Sequence, residues 1–111
     1  MVHYTTIENA LDQKIKKNQR WIDAATDVYT DDDFIVNIDA FQKQQMWTDL
    51  HTEIKSIMDS YGVLMYDITL ANICNAYNDD DYDEPILNIV VIVSWVDISG
   101  LHVYPITIQS K

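Results

Sequence analysis

Residues 86–96 read Ile86-Leu87-Asn88-Ile89-Val90-Val91-Ile92-Val93-Ser94-Trp95-Val96, and the fold turns on how this run is taken. Isoleucine and valine dominate it. Their branched side chains are already stiff at χ1 and fit a pleated strand better than a helix. Alternation places Leu87, Ile89, Val91, Val93 and Trp95 on one face, and Ile86, Asn88, Val90, Ile92, Ser94 and Val96 on the other. A strand apolar on both faces belongs at the centre of a sheet, because on an edge its unpaired backbone would template aggregation.

Flanking strands follow from that placement. Asp97-Ile98-Ser99-Gly100 makes a turn, and Leu101 to Gln109 returns as a strand whose Pro105 lacks an N–H and so places it at an edge or gives it a bulge. On the other side, Leu64, Tyr66, Ile68 and Leu70 alternate with Met65, Asp67 and Thr69, the pattern of a half-buried strand. The spacing of Leu70, Ile73, Cys74 and Tyr77 also suits a helix over residues 67–77, ranked second. Residues 72–85, which hold Asp79-Asp80-Asp81-Tyr82-Asp83-Glu84, are expected to form an exposed connection.

The N-terminal half has helical spacing. Ile7, Leu11, Ile15, Asn18, Ile22, Ala25 and Tyr29 recur every three or four residues on one stripe, with Thr5 and Glu8 spaced as a capping box. A second helix is expected from Asp39, as N-cap, to Tyr61, with Trp47, Leu50, Ile54, Ile57, Met58 and Tyr61 on its stripe and Gly62 as its left-handed stop. Between the helices, Asp31-Asp32-Asp33 precedes a short apolar run at Phe34 to Val36. The chain, residues 1–111, is expected to be a single acidic α+β domain: two N-terminal helices packed on one face of a three-stranded antiparallel sheet.

Charge narrows the function. The formal net charge is -11, and residues 21–110 hold sixteen acids against two bases, a local balance of -14. Lys14, Lys16, Lys17 and Arg20 are clustered and expected on the solvated side of the first helix. Such a balance disfavours direct binding to nucleic acid or an anionic membrane, which select basic faces. Fifteen of the eighteen acids are Asp, whose short carboxylate competes for nearby N–H groups and favours loops and caps. There is no run of apolar residues long enough for a membrane helix and no signal-peptide layout, so a cytoplasmic protein is expected.

Chemistry is thinly represented. Cys74, alone, is expected to be a small buried hydrophobe, and nothing local ties His3, His51 or His102 to it or to a serine. Asp79, Asp81 and Asp83 open like a calcium loop, but its sixth position is Glu84 rather than Gly and its twelfth is Val90 rather than Glu. No enzymatic activity, cofactor or metal is therefore expected.

The leading expectation is a non-enzymatic inhibitor that occupies the basic nucleic-acid-binding surface of a nuclease or other DNA-binding protein. Its partner-binding residues would be Asp31, Asp32, Asp33, Asp79, Asp80, Asp81, Asp83 and Glu84, replacing phosphates, with Tyr77 and Tyr82 as aromatic contacts. In charge and size, though in no motif, the chain is similar to the nucleic-acid mimics of phages that act in counter-defence and to toxin immunity proteins. The alternatives are such an immunity protein, or a structural oligomerisation domain whose acidity serves solubility. A homodimer through the second sheet face, at Ile86, Val90, Ile92 and Val96, is also expected, because a patch of that size in water usually marks an interface; its rival is a cover from within the chain, by residues 31–37 or 72–85 using Phe34 or Tyr77.

Overall fold

A computed structural model describes residues 2–29, 38–78 and 81–110, with the side chains of 29, 75–78 and 81–86 left out of the description. Helices α1 (Tyr4–Leu11), α2 (Gln19–Tyr29), α3 (Ile38–Phe41) and α4 (Gln45–Ser60) precede strands β1 (Tyr66–Asn78), β2 (Asp81–Asp97) and β3 (Gly100–Gln109). The strands form an antiparallel sheet in the order β1-β2-β3. The chain is thus α+β, helices first and sheet last, with the Ile/Val run central and Pro105 on an edge strand.

The expected N-terminal helix is broken in the middle. A π-helical turn, Asp12–Lys16, follows α1, is capped by Lys17 and is followed by Asn18. The Asn18 amide donates to the Lys14 carbonyl (3.0 Å), while its Oδ1 accepts from the Arg20 N–H (3.0 Å), so one side chain closes the first helix and starts the next. This break changes the helical phase. Ile15 is followed in the core by Trp21 and Ala25, while Ile22 is half-buried. At the other end, the cap is His3 rather than a Thr5–Glu8 box: the Thr5 N–H donates to His3 Nδ1 (3.3 Å).

The second helix is also divided. Residues 42–44 turn between α3 and α4, with Gln44 extended, and Asp39 lies inside α3 rather than capping a long helix. The reason is spacing: Phe41 and Met46, five residues apart, are both buried, which one continuous helix would not allow. The stop at Gly62 is as expected. Gly62 has φ 74°, its N–H donates to Asp59 O, and the Val63 N–H reaches back to Met58 O, the bond pair of a Schellman cap.

Among the described residues, neither the connection expected over residues 72–85 nor the helix ranked second over residues 67–77 forms. β1 and β2 continue as a hairpin to the Asn78↔Asp81 pair, so Asp81, Tyr82, Asp83 and Glu84 lie in a strand. The helix-like spacing has a specific cause: Ala71 is a bulge between the Leu70↔Val91 and Asn72↔Val90 pairs, so Leu70 and Ile73 share a face although three residues apart. β3 ends opposite Asn88, and Ser110 closes it by accepting from and donating to Leu87. Beyond that point, among the described residues, β1 and β2 pair only with each other and form a two-stranded arm. The radius of gyration is 14.9 Å, above the roughly 13 Å typical of a compact chain this long.

All helices lie on one sheet face. Leu87, Ile89, Val91, Val93 and Trp95 are all buried there, with Leu70, Ile106 and Ile108 beside them, against a helical layer led by Leu11, Ile15, Trp21, Leu50, Ile54 and Met58. Two polar ties join the layers: Tyr104 in β3 donates to Asp12 (2.6 Å), and Tyr66 in β1 donates to Asp59 of α4 (3.0 Å). The indole N–H groups of Trp21 and Trp95 are buried with no hydrogen-bond partner among the described residues. No helix is long and apolar enough to cross a membrane among the described residues.

Candidate interaction site

The acidic surface is distributed differently from the expectation that carboxylates crowd into loops. Asp23 and Asp27 lie in α2, Asp49, Glu53 and Asp59 in α4, and Asp67 and Asp97 in β1 and β2. Helical Asp is accommodated by side-chain amides one turn earlier: Gln19 donates to Asp23 (2.8 Å) and Gln45 to Asp49 (2.9 Å). Lys14, Lys16, Lys17 and Arg20 are exposed at the π turn and the start of α2, as expected of a solvated face. Arg20 also lies over the Trp21 ring, 4.8 Å from its centroid.

Of the partner-binding residues expected from sequence, Asp31, Asp32, Asp33, Asp79 and Asp80 lie outside the described residues. Tyr77 lies in β1, and Asp81, Tyr82, Asp83 and Glu84 lie in β2, all on the two-stranded arm. That strand backbone is also at odds with an EF-hand, whose twelve-residue loop would have to include residues 81–90 of β2.

The sheet face away from the helices pairs Asp67, Thr69, Asn72 and Cys74 of β1 with the outward residues of β2, and Leu101, Val103, Pro105, Thr107 and Gln109 of β3 beyond them. Cys74 is therefore exposed, not a buried hydrophobe, because the bulge at Ala71 sets its register. Val90 and Ile92 are half-buried within the sheet, Val96 is 52% exposed, and the side chain of Ile86 is outside the description.

At the end of the sheet opposite the arm, apolar side chains are more exposed than Val90 and Ile92 of the expected interface. Leu64 and Ile98 are 94% and 91% exposed, and Met65, Leu101 and Val103 are each more than half exposed. Two hollows of about 420 and 330 Å³ flank this end, and Leu64, Met65, Trp95 and Val96 line both. Sequence reading named Val96 here as an interface residue but missed Leu64, Met65, Ile98, Leu101 and Val103. The signal lay in the register: once Asp97–Gly100 is a turn, Leu101 and Val103 must sit beside Val96 and Ser94 on the outer face.

Sequence reading also missed a link between a histidine and a serine. His102 Nε2 lies 3.0 Å from both the Ser99 hydroxyl and Asp97 Oδ2, and the Ser99 hydroxyl and N–H both donate to Asp97 Oδ1. The Ser99 hydroxyl holds the Asp97 carboxyl down to about 2, with His102 adding to the effect and partial burial opposing it. Tyr4 stacks on the His102 ring at 4.7 Å and Trp95 lies 5.4 Å away. In a hydrolytic triad the acid and the serine engage opposite nitrogens of the imidazole. Here both engage Nε2 and the serine proton is directed at the carboxylate, so the group fastens the β2–β3 turn. Compared with family models, with curated proteins and with solved structures, the chain matches none of the three.

Proposed function

We propose that this chain is a non-enzymatic cytoplasmic binding protein that occupies the basic nucleic-acid-binding surface of a nuclease or other DNA-binding protein. The observation that carries the reading is the position of Asp81, Asp83 and Glu84 on an arm that continues past the end of β3. Asp81, Asp83 and Glu84 lie in β2 on the arm, within a run from 79 to 84 that holds five acids in six residues of sequence. Along one strand of duplex DNA a phosphate recurs about every 3.4 Å, close to the rise per residue of an extended chain. A basic groove shaped for that charge density would accept the arm, with Arg and Lys donating to carboxylates in place of phosphates.

The test is retention from an extract of the cells that encode the protein. Immobilised wild-type chain is expected to hold a basic nucleic-acid-binding protein, and a short DNA duplex should displace it. The Asp79, Asp80, Asp81 and Asp83 to Asn variant should hold much less. A retained nuclease that resists duplex competition would instead favour an immunity protein binding away from the groove. Retention indifferent to both the duplex and the substitutions would overturn the mimic reading.

A further inference from the structure

We propose that the apolar end of the sheet is a two-fold interface with a second copy of this chain. Its surface is made by Leu64, Met65, Val96, Ile98, Leu101 and Val103, from the α4–β1 connection, the end of β2, the β2–β3 turn and the start of β3. Each is more than half exposed, and together they present on the order of 700 Å² of aliphatic surface, more than a typical monomer leaves in one patch. Stable complexes bury about 800 Å² on each partner, so the patch and its rim supply one side of such an interface.

A second copy fits this surface in shape and in charge. Leu64 and Met65, 94% and 71% exposed, line both hollows. A ridge beside a hollow is complementary to itself about a two-fold axis, because each copy's ridge enters the other's hollow. The six residues carry no charge and aliphatic contacts make no directional demand, while each hollow has one acid in its lining, Asp67 in one and Asp97 in the other. Nearby acids are already bonded within the chain: Asp97 to Ser99 and His102, and Asp59 to Tyr66. Asp67 is left exposed at the rim.

The arm's share of the net charge of -11 opposes this arrangement only weakly. From Val96 to Ile86 the β2 strand covers about 33 Å, so joining two copies at their apolar ends directs the acidic arms apart. That separation exceeds the Debye length of about 8 Å at physiological salt several-fold. This differs from a dimer built on the middle of the sheet face, where Val90 and Ile92 are half-buried among their strand neighbours.

Sedimentation equilibrium of the full chain over about 1 to 500 µM tests the proposal without any partner. The wild type should reach twice the chain mass within that range. Leu64→Glu with Ile98→Glu, both at positions more than 90% exposed, should keep the wild-type circular dichroism and weaken dimerisation by about 100-fold or more. Thr69→Glu with Thr107→Glu, on the middle of the outer face, should leave the dimer intact. A wild type that stays monomeric throughout overturns the proposal, and a foreign partner for the patch would then be the reading left. A dimer unaffected by the first pair, or dissociated only by the second, overturns it equally.

Discussion

Asp97 and Tyr104 are the residues whose protonation the fold controls most directly. The carboxyl of Asp97 is lowered to about 2, first by the Ser99 hydroxyl and then by His102. A folded-state value below the ordinary carboxylate range stabilises the fold at pH above about 4, and that contribution is lost as pH falls from 4 toward 2. Replacing Asp97 by Asn should therefore lower the urea midpoint at pH 7, and the two midpoints should converge as pH approaches 2. Curves that stay parallel down to pH 2 would contradict this account. Tyr104 behaves in the opposite sense. Its hydroxyl donates to Asp12, whose carboxylate, with burial, pushes it up to about 12. A raised value stabilises the fold below about pH 10 and ceases to do so as pH rises toward 12. In Tyr104→Phe the step in stability between pH 10 and 12 should be absent, as read by thermal melting.

Elements show why some of the structure was legible in the sequence and some was not. The β2 run and the stop at Gly62 could be read because each depends on residues with one strong preference. Gly62→Ala should cost about 1 kcal/mol by urea unfolding: a Cβ there meets no atom within 4 Å, so the loss is backbone strain at φ 74° alone. The breaks inside both helical segments were not legible. A stripe counted in threes and fours continues smoothly through Asn18, and nothing in the spacing reveals that its side chain bonds backward and forward at once. Asn18→Ala removes both bonds and should cost about 1–2 kcal/mol in chemical denaturation, with α1 and α2 still formed; an unchanged midpoint would mean the break is held by packing of Ile15 and Trp21 instead. The arm was hidden for another reason. Asp is unfavourable in strands, so the run from Asp79 to Glu84 reads as a loop, yet the ladder resumes after a register shift, from the Ala76↔Ile86 pair to the Asn78↔Asp81 pair.

At the scale of the molecule the chain has two unlike ends: an acidic arm beyond β3, and an apolar end at the β2–β3 turn. Their separation reconciles self-association with high charge, and it leaves the arm available to a basic partner. Composition foretold the charge but not its placement, because placement depends on where β3 stops. Neutralising four arm carboxylates reduces self-repulsion in a chain of net charge -11, so the quadruple Asn variant should melt no lower than wild type at low salt. The central claim is that the arm is read electrostatically by a basic surface. Association rates of wild type and of the Asp79, Asp80, Asp81 and Asp83 to Asn variant with the retained partner test it most directly, measured at low and high salt. The account predicts association slowed by about tenfold or more in the variant at low salt, with the difference shrinking as salt rises. Equal rates at low salt would contradict it.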